Sequence, residues 1–187
     1  VAPAYTNNVS VSGGTERLKF FASVGAYNQE GVIDHTSYDK YNFRSNMDAK
    51  VTDNFDLSLD LSGYVSEDNE PGASAGKGSY ASIFQQAMLS YPYLKAYSPS
   101  GLPVGSLNLD GNGNNNPVAA RDLSGKNTIK KTYFQGNISM KYKLPFVKGL
   151  SLKLNASYVK NYTMQKKYFL PYDLDCWNQS TRAWGVQ

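Results

Sequence analysis

The stretch Tyr38-Asp39-Lys40-Tyr41-Asn42-Phe43-Arg44-Ser45-Asn46-Met47-Asp48-Ala49-Lys50-Val51 decides the fold. Its even positions from Lys40 to Lys50 are all polar: Lys40, Asn42, Arg44, Asn46, Asp48 and Lys50. Its odd positions from Tyr41 to Val51 are apolar or small. Side chains of a strand alternate between its two faces, so this period of two makes one face wet and the other greasy. Soluble sandwich strands run about five or six residues. A longer strand with charges along one face fits a membrane-spanning barrel strand, which needs roughly 9–11 residues.

The same alternation recurs outward in both directions. Val9 and Val11 share a face in a short run, Asn8–Ser12. Leu18, Phe20, Ala22, Val24 and Ala26 share one in Leu18–Tyr27, where Phe21 interrupts the polar face. Phe55, Leu57, Leu59, Leu61, Gly63 and Val65 share one in Phe55–Ser66. Phe134, Gly136, Ile138, Met140, Tyr142 and Leu144 do so in Thr128–Leu144, and Leu150, Leu152, Leu154, Ala156, Tyr158 and Tyr162 in Leu150–Lys167. Six strands are expected. Short connections (13–16, 52–54, 145–149) alternate with long ones at about 28–37, 67–127 and 168–187. That asymmetry belongs to outer-membrane barrels, with tight periplasmic turns and long extracellular loops. Tyr41, Phe43, Phe134, Tyr158 and Tyr162 fall near the long-loop ends; Phe20, Phe55 and Tyr142 fall near the short turns. Aromatic girdles at the two interfaces would look like this.

Composition agrees. Lys+Arg total 19 against Asp+Glu 15, a formal +4 dispersed along the strands, which argues against nucleic-acid binding. No run of 18 apolar residues exists, so no membrane-spanning helix is expected, and barrel strands need none. One cysteine, Cys176, excludes an internal disulfide. The chain begins at Val1 without a basic-then-apolar leader and reads as a piece of something longer. Inside the long 67–127 segment, Tyr80, Ile83, Phe84, Ala87 and Met88 recur at helical spacing after Ser79, a candidate N-cap, and Tyr91-Pro92 should end that helix.

Several motifs together resemble a known family. Val9-Ser10-Val11-Ser12-Gly13-Gly14-Thr15-Glu16-Arg17 is similar to the hairpin of SusC/RagA-type TonB-linked outer-membrane transporters of Bacteroidota. Phe20-Phe21-Ala22-Ser23-Val24-Gly25 with Asn28-Gln29-Glu30-Gly31 resembles the following strand and loop. Tyr41-Asn42-Phe43-Arg44-Ser45-Asn46-Met47-Asp48 resembles the family's Tyr-x-x-Arg-x-Asn-x-Asp strand, and Gly149-Leu150-Ser151-Leu152-Lys153 a later turn and strand. The resemblance covers nearly the whole chain and is most specific in the first 50 residues. It implies an all-β fold in which residues 1–187 supply about six antiparallel transmembrane strands of a barrel of about 22, with a plug in the lumen. It implies an outer-membrane location and import of a glycan or peptide powered through TonB. A SusD-like surface lipoprotein would lid the extracellular face. Plug, TonB box and closing strand are not found in these residues, and six strands alone cannot close such a barrel.

The residues with reactive side chains each have a plainer role beside a chemical one. His35 beside Asp34 could serve acid–base work, but no nucleophile motif accompanies it and a solvated loop histidine is the plainer reading. Cys176 has no partner motif. Asp110, Asn112 and Asn114 resemble the start of a calcium loop, D-x-[DN]-x-[DN], without the terminal Glu; the alternatives are a Ca²⁺ site or a flexible Asn-Gly loop. Asp56 and Asp60 share a strand face with nothing to mark a glycosidase pair. No enzyme is expected. Tyr91, Tyr93, Tyr97, Trp177 and Trp184 lie in expected extracellular segments and could contact a ligand or lid partner, or pack within their own loops. Lys40, Arg44, Asp48, Lys50, Lys141, Lys143 and Lys153 are expected to face the lumen. The rival readings are a soluble β-rich carbohydrate-binding module, whose greasy face would be buried, and a barrel lipid hydrolase, which would need a Ser/His pair.

Overall fold

A computed structural model describes residues 2–72, 80–90, 93, 95–105, 116–147, 149–178 and 183–186. Six strands form one sheet in sequence order: β1 (Ala4–Gly14), β2 (Leu18–Glu30), β3 (Ser37–Thr52), β4 (Phe55–Pro71), β5 (Gly125–Lys143) and β6 (Ser151–Phe169). Each strand neighbours the next in the chain, an up-and-down meander. β1 and β2 pair antiparallel, with Val9 opposite Val24 and Val11 opposite Ala22. Backbone bonds beside the turns set the other pairs: Lys50 N–H donates to Arg17 O (2.7 Å), Lys143 N–H to Asn54 O (2.8 Å) and Leu144 N–H to Leu150 O (3.0 Å).

The strands run further than alternating hydropathy suggested. β1 spans Ala4–Gly14 rather than Asn8–Ser12, and β4 continues through Glu67–Pro71. β5 begins at Gly125 and β6 ends at Phe169. The loops expected at 67–127 and 168–187 are correspondingly shorter. Backbone pairing persists here after the apolar positions stop, and polar side chains replace them. Asn69 Nδ2 donates to Ser37 Oγ (3.2 Å), Thr128 Oγ1 to Asn69 Oδ1 (2.9 Å) and Asn127 Nδ2 to Glu70 Oε2 (3.2 Å).

The chain divides into two compact units. The first comprises Val1–Glu30, Tyr38–Asp68 and Ile129–Met164, the sheet's central portion. The second comprises Gly31–Ser37, Asn69–Thr128 and Gln165–Gln187. The second holds two helices, α1 (Tyr80–Leu89) and α2 (Pro117–Asp122), and a hairpin of β7 (Asp175–Asn178) with β8 (Ala183–Val186). Helix α1 lies where 3.6-residue spacing placed it; Ser79 falls outside the described residues. Asn116 caps α2, its Oδ1 accepting from Val118 N–H (2.9 Å) and Ala119 N–H (3.1 Å), and Pro117 takes the first turn, where a missing N–H costs nothing. Asn116 Nδ2 also donates to Ala96 O (3.0 Å) and Val104 O (2.9 Å), tying α2 to the segment before it. Asp175 joins that segment to β7: its N–H donates to Pro103 O (2.8 Å), its C=O accepts from Gly105 N–H (3.0 Å), and Oδ2 accepts from Ser100 Oγ (2.8 Å).

Burial separates the two units. The buried hydrophobic residues among those described are Ile83, Val104, Ala119, Ala120 and Leu174, and all belong to the second unit. In the first unit none of the large apolar side chains is fully buried among the described residues: on the edge strands Val9 is 70 % exposed, Leu152 66 % and Leu154 61 %, while Leu57, Leu59, Leu61 and Phe134 on the central strands are half-buried between their neighbours. Among the described residues no protein layer covers that face.

Candidate functional site

Alternation gives the first unit two chemically different faces. On the apolar face, Phe43 and Phe134 lie 6.3 Å apart between ring centroids, and Phe134 and Tyr158 also 6.3 Å. Gly63 on β4 is buried under the Phe43 ring; a Cβ there would stand 2.8 Å from Phe43 Cε1 and 2.8 Å from Tyr133 O. A glycine flanked by aromatic rings is a recurring device for filling the gap a missing side chain leaves in a sheet. Here it produces an aromatic row across β3, β5 and β6.

The apolar face is limited in height. On β4 it runs from Phe55 to Val65, ten residue steps. At a rise of about 3.4 Å per residue that is about 34 Å along the strand. Tilted by about 40°, as barrel strands are, it covers about 26 Å, against an outward apolar band of about 25 Å in membrane barrels. Beyond Val65 the face turns polar: Lys130 Nζ pairs with Glu67 Oε2 (2.9 Å), and Asn28 Nδ2 donates to Asp39 Oδ1 (2.7 Å).

The opposite face is a polar lattice. Arg44 Nε donates to Asn46 Oδ1 (3.0 Å), Asn46 Nδ2 donates to Asp60 Oδ1, and Ser58 Oγ donates to Asp48 Oδ1 (2.6 Å). Lys143 Nζ stands 3.7 Å from Asp56 Oδ2. Asp56 and Asp60 therefore have separate partners, and nothing joins them as a catalytic pair. Lys40 Nζ sits 4.7 Å from the centre of the Tyr64 ring, and Tyr64 stacks on Tyr133 at 5.5 Å. Tyr27 meets Tyr38 edge-on at 6.1 Å. The Tyr27 and Tyr133 hydroxyls donate to Gln29 Oε1 and Gln135 Oε1, each at 2.7 Å. Sequence reasoning singled out the charges of this face and missed its tyrosines. Their signal was parity: Tyr27, Tyr38, Tyr64 and Tyr133 all fall at polar positions of the alternation. Lys50, Lys141 and Lys153 occupy the same parity and are exposed.

In the second unit, His35 adopts a left-handed backbone (φ 65°), uncommon outside glycine. Its Nε2 stands 3.5 Å from Asp122 Oδ1 rather than pairing with Asp34. Asp34 instead meets Arg121 Nη1 at 2.9 Å. Arg121 also clasps Asp122 with Nε (2.6 Å) and Nη2 (2.8 Å). The hydrogen bonds from Arg121 hold the Asp122 carboxyl below the usual aspartate range, and the Asp122 carboxylate in turn raises the guanidinium. His35 thus belongs to an ion-pair cluster joining the 31–37 loop to α2, with no serine or cysteine nucleophile in it. Burial pushes the Cys176 thiol up, and the neighbouring Asp175 carboxylate adds to this, a setting for an unreactive thiol.

Of the aromatic residues expected at a ligand or partner surface, Trp177 and Trp184 face each other across β7 and β8, ring centroids 5.4 Å apart and inclined at 69°. Both keep an exposed edge, as do Tyr93 and Tyr97. Tyr97 is bridged to Pro103. Tyr91 lies outside the described residues, as do Asp110, Asn112 and Asn114. Among the described residues no group of three His, Cys, Asp or Glu side chains is arranged to hold a metal.

No protein-family model matches the chain. It is similar to TonB-dependent receptor P26 of Formosa agariphila, at 27 % identity over 133 residues. Those residues are 71 % of this chain and 12 % of that protein, so the chain spans a small part of its relative's length. The similarity supports a relationship to a TonB-dependent receptor. With it, the antiparallel meander reads as an all-β segment of such a receptor's barrel.

Proposed function

We propose that this chain supplies six neighbouring strands of a SusC/RagA-type TonB-dependent transporter in the outer membrane, importing a nutrient oligomer, glycan or peptide. The observation that carries this reading is the uncovered apolar face, cut off by polar pairs at a height that fits a bilayer. A soluble module would have buried that face. The polar face then lines the lumen, with Lys40, Arg44, Asp48, Lys50, Lys141, Lys143 and Lys153 toward plug or cargo. Tyr93, Tyr97, Trp177 and Trp184 contact cargo or a SusD-like lipoprotein lid. The work is passage rather than catalysis: cargo binds at the extracellular mouth, and TonB-driven movement of a plug opens the way.

Fractionation of cells that express the full-length protein tests this. It should sediment with the outer membrane, require detergent for extraction, and support uptake of an oligomer only when TonB is present. Recovery as a soluble species of 20.6 kDa would refute it.

A further inference from the structure

The apolar face of the first unit carries a groove of about 600 Å³, within the roughly 300–1,000 Å³ of small-molecule sites. Val9, Val24, Tyr41, Phe43, Val65 and Phe134 line it. Its floor is backbone, because the intervening residues turn their side chains to the polar face. The groove lies at the polar-collar end of the band, immediately short of Asp39, Glu67 and Lys130.

A cation stands beside it. Leu144 N–H donates to Leu150 O and Leu170 N–H to Ser124 O, and both bonds set the same register between β5 and β6, with Phe134 opposite Lys160 and Thr132 opposite Tyr162. Lys160 has the parity of Tyr158 and Tyr162, so it interrupts the apolar face. Its side chain is exposed, and among the described residues no carboxylate pairs with it. An outward charge costs roughly 0–1 kcal/mol near the bilayer interface and more at depth, so the site suits an anion at that level. Tyr41 and Thr132 line the groove and Tyr162 stands opposite Thr132 in that register, so three hydroxyl-bearing residues belong to this part of the face.

An apolar slot, hydroxyl-bearing residues and one unpaired cation together match a lipid with an acyl chain, a sugar head and a phosphate. We propose that the groove holds an acyl chain of the phosphorylated glycolipid of the outer leaflet, with Lys160 at its phosphate. The inference rests on the barrel reading and adds a ligand to it.

The test uses full-length protein extracted from outer membranes in mild detergent. After extensive detergent exchange, retained lipid is identified and quantified by mass spectrometry. The unaltered protein should keep the acylated glycolipid in fixed proportion. Lys160→Ala should lower that several-fold, and Thr132→Phe, which fills the groove, should abolish it. Leu152→Ala, on the same face but away from the groove, should retain it fully. Loss of all lipid from the unaltered protein, retention of a phospholipid instead, or equal retention by every variant would overturn the proposal while leaving the barrel intact. Absence of the protein from the outer membrane would overturn both.

Discussion

Replacing Leu59 by Arg probes the face assignment at its most demanding point. Leu59 lies four steps from Phe55, about 14 Å along the strand. At a tilt of about 40° that is about 10 Å into a band of about 25 Å, close to the middle. An outward Arg at the bilayer midplane costs about 2–4 kcal/mol, falling to about 0–1 near the interface. At a factor of ten per 1.4 kcal/mol, Leu59→Arg should lower the folding equilibrium by about 30- to 700-fold. Val65→Arg, beside the polar collar, should cost about 0–1 kcal/mol. Ser58→Arg, one residue from Leu59 but on the other face, gains Asp48 as a partner, since Ser58 Oγ already lies 2.6 Å from that carboxylate. Its effect should stay within about 0.5 kcal/mol, as for most surface changes. Urea titration of the full-length protein in lipid vesicles, followed by heat-modifiable gel mobility, measures all three. Equal costs for Leu59→Arg and Ser58→Arg would refute the face assignment. Equal costs for Leu59→Arg and Val65→Arg would refute the bilayer, because a protein-covered surface has no reason to follow depth.

Two further outcomes are expected. Gly63→Ala should destabilise by about 1–3 kcal/mol in the same titration, because its Cβ meets the Tyr133 carbonyl at 2.8 Å and backbone cannot swing aside as a ring can; no loss would mean the aromatic row closes loosely over β4. The Asp122 carboxyl is depressed in the folded state, so its contribution is complete above its ordinary value of 3.8 and is lost as pH falls through the depressed value. Hydrogen exchange in residues 31–37 should therefore stay slow from neutral pH to about 5 and quicken only in stronger acid, whereas Arg121→Ala should quicken it already at neutral pH.

Much of the sheet was legible because its strands repeat a single constraint. Leu57, Leu59 and Leu61 alternate with Ser58, Asp60 and Ser62, and no local propensity competes with that signal. The strand ends were not legible. Glu67–Pro71 and Gly125–Asn127 pair by backbone and by polar side chains, which carry no period of two in hydropathy. Helix α2 was missed because it is six residues long, too short for a helical period, although Asn116-Pro117 is a start signal. The β7–β8 hairpin has four residues a side and rests on a Trp pair rather than on alternation. His35 was visible as a lone histidine, but its partner Asp122 lies 87 residues away and no spacing rule reaches that far.

The position of the two tryptophans has a practical consequence. The chain contains Trp177 and Trp184 and no third indole, and both sit in one hairpin at 5.4 Å. Within this chain, emission excited at the red edge of the ultraviolet spectrum comes from that hairpin and not from the tyrosine-rich sheet. Two indoles so close and steeply inclined also couple their transitions, which gives circular dichroism a signature that vanishes when the pair separates. Binding at this hairpin can thus be followed without a label.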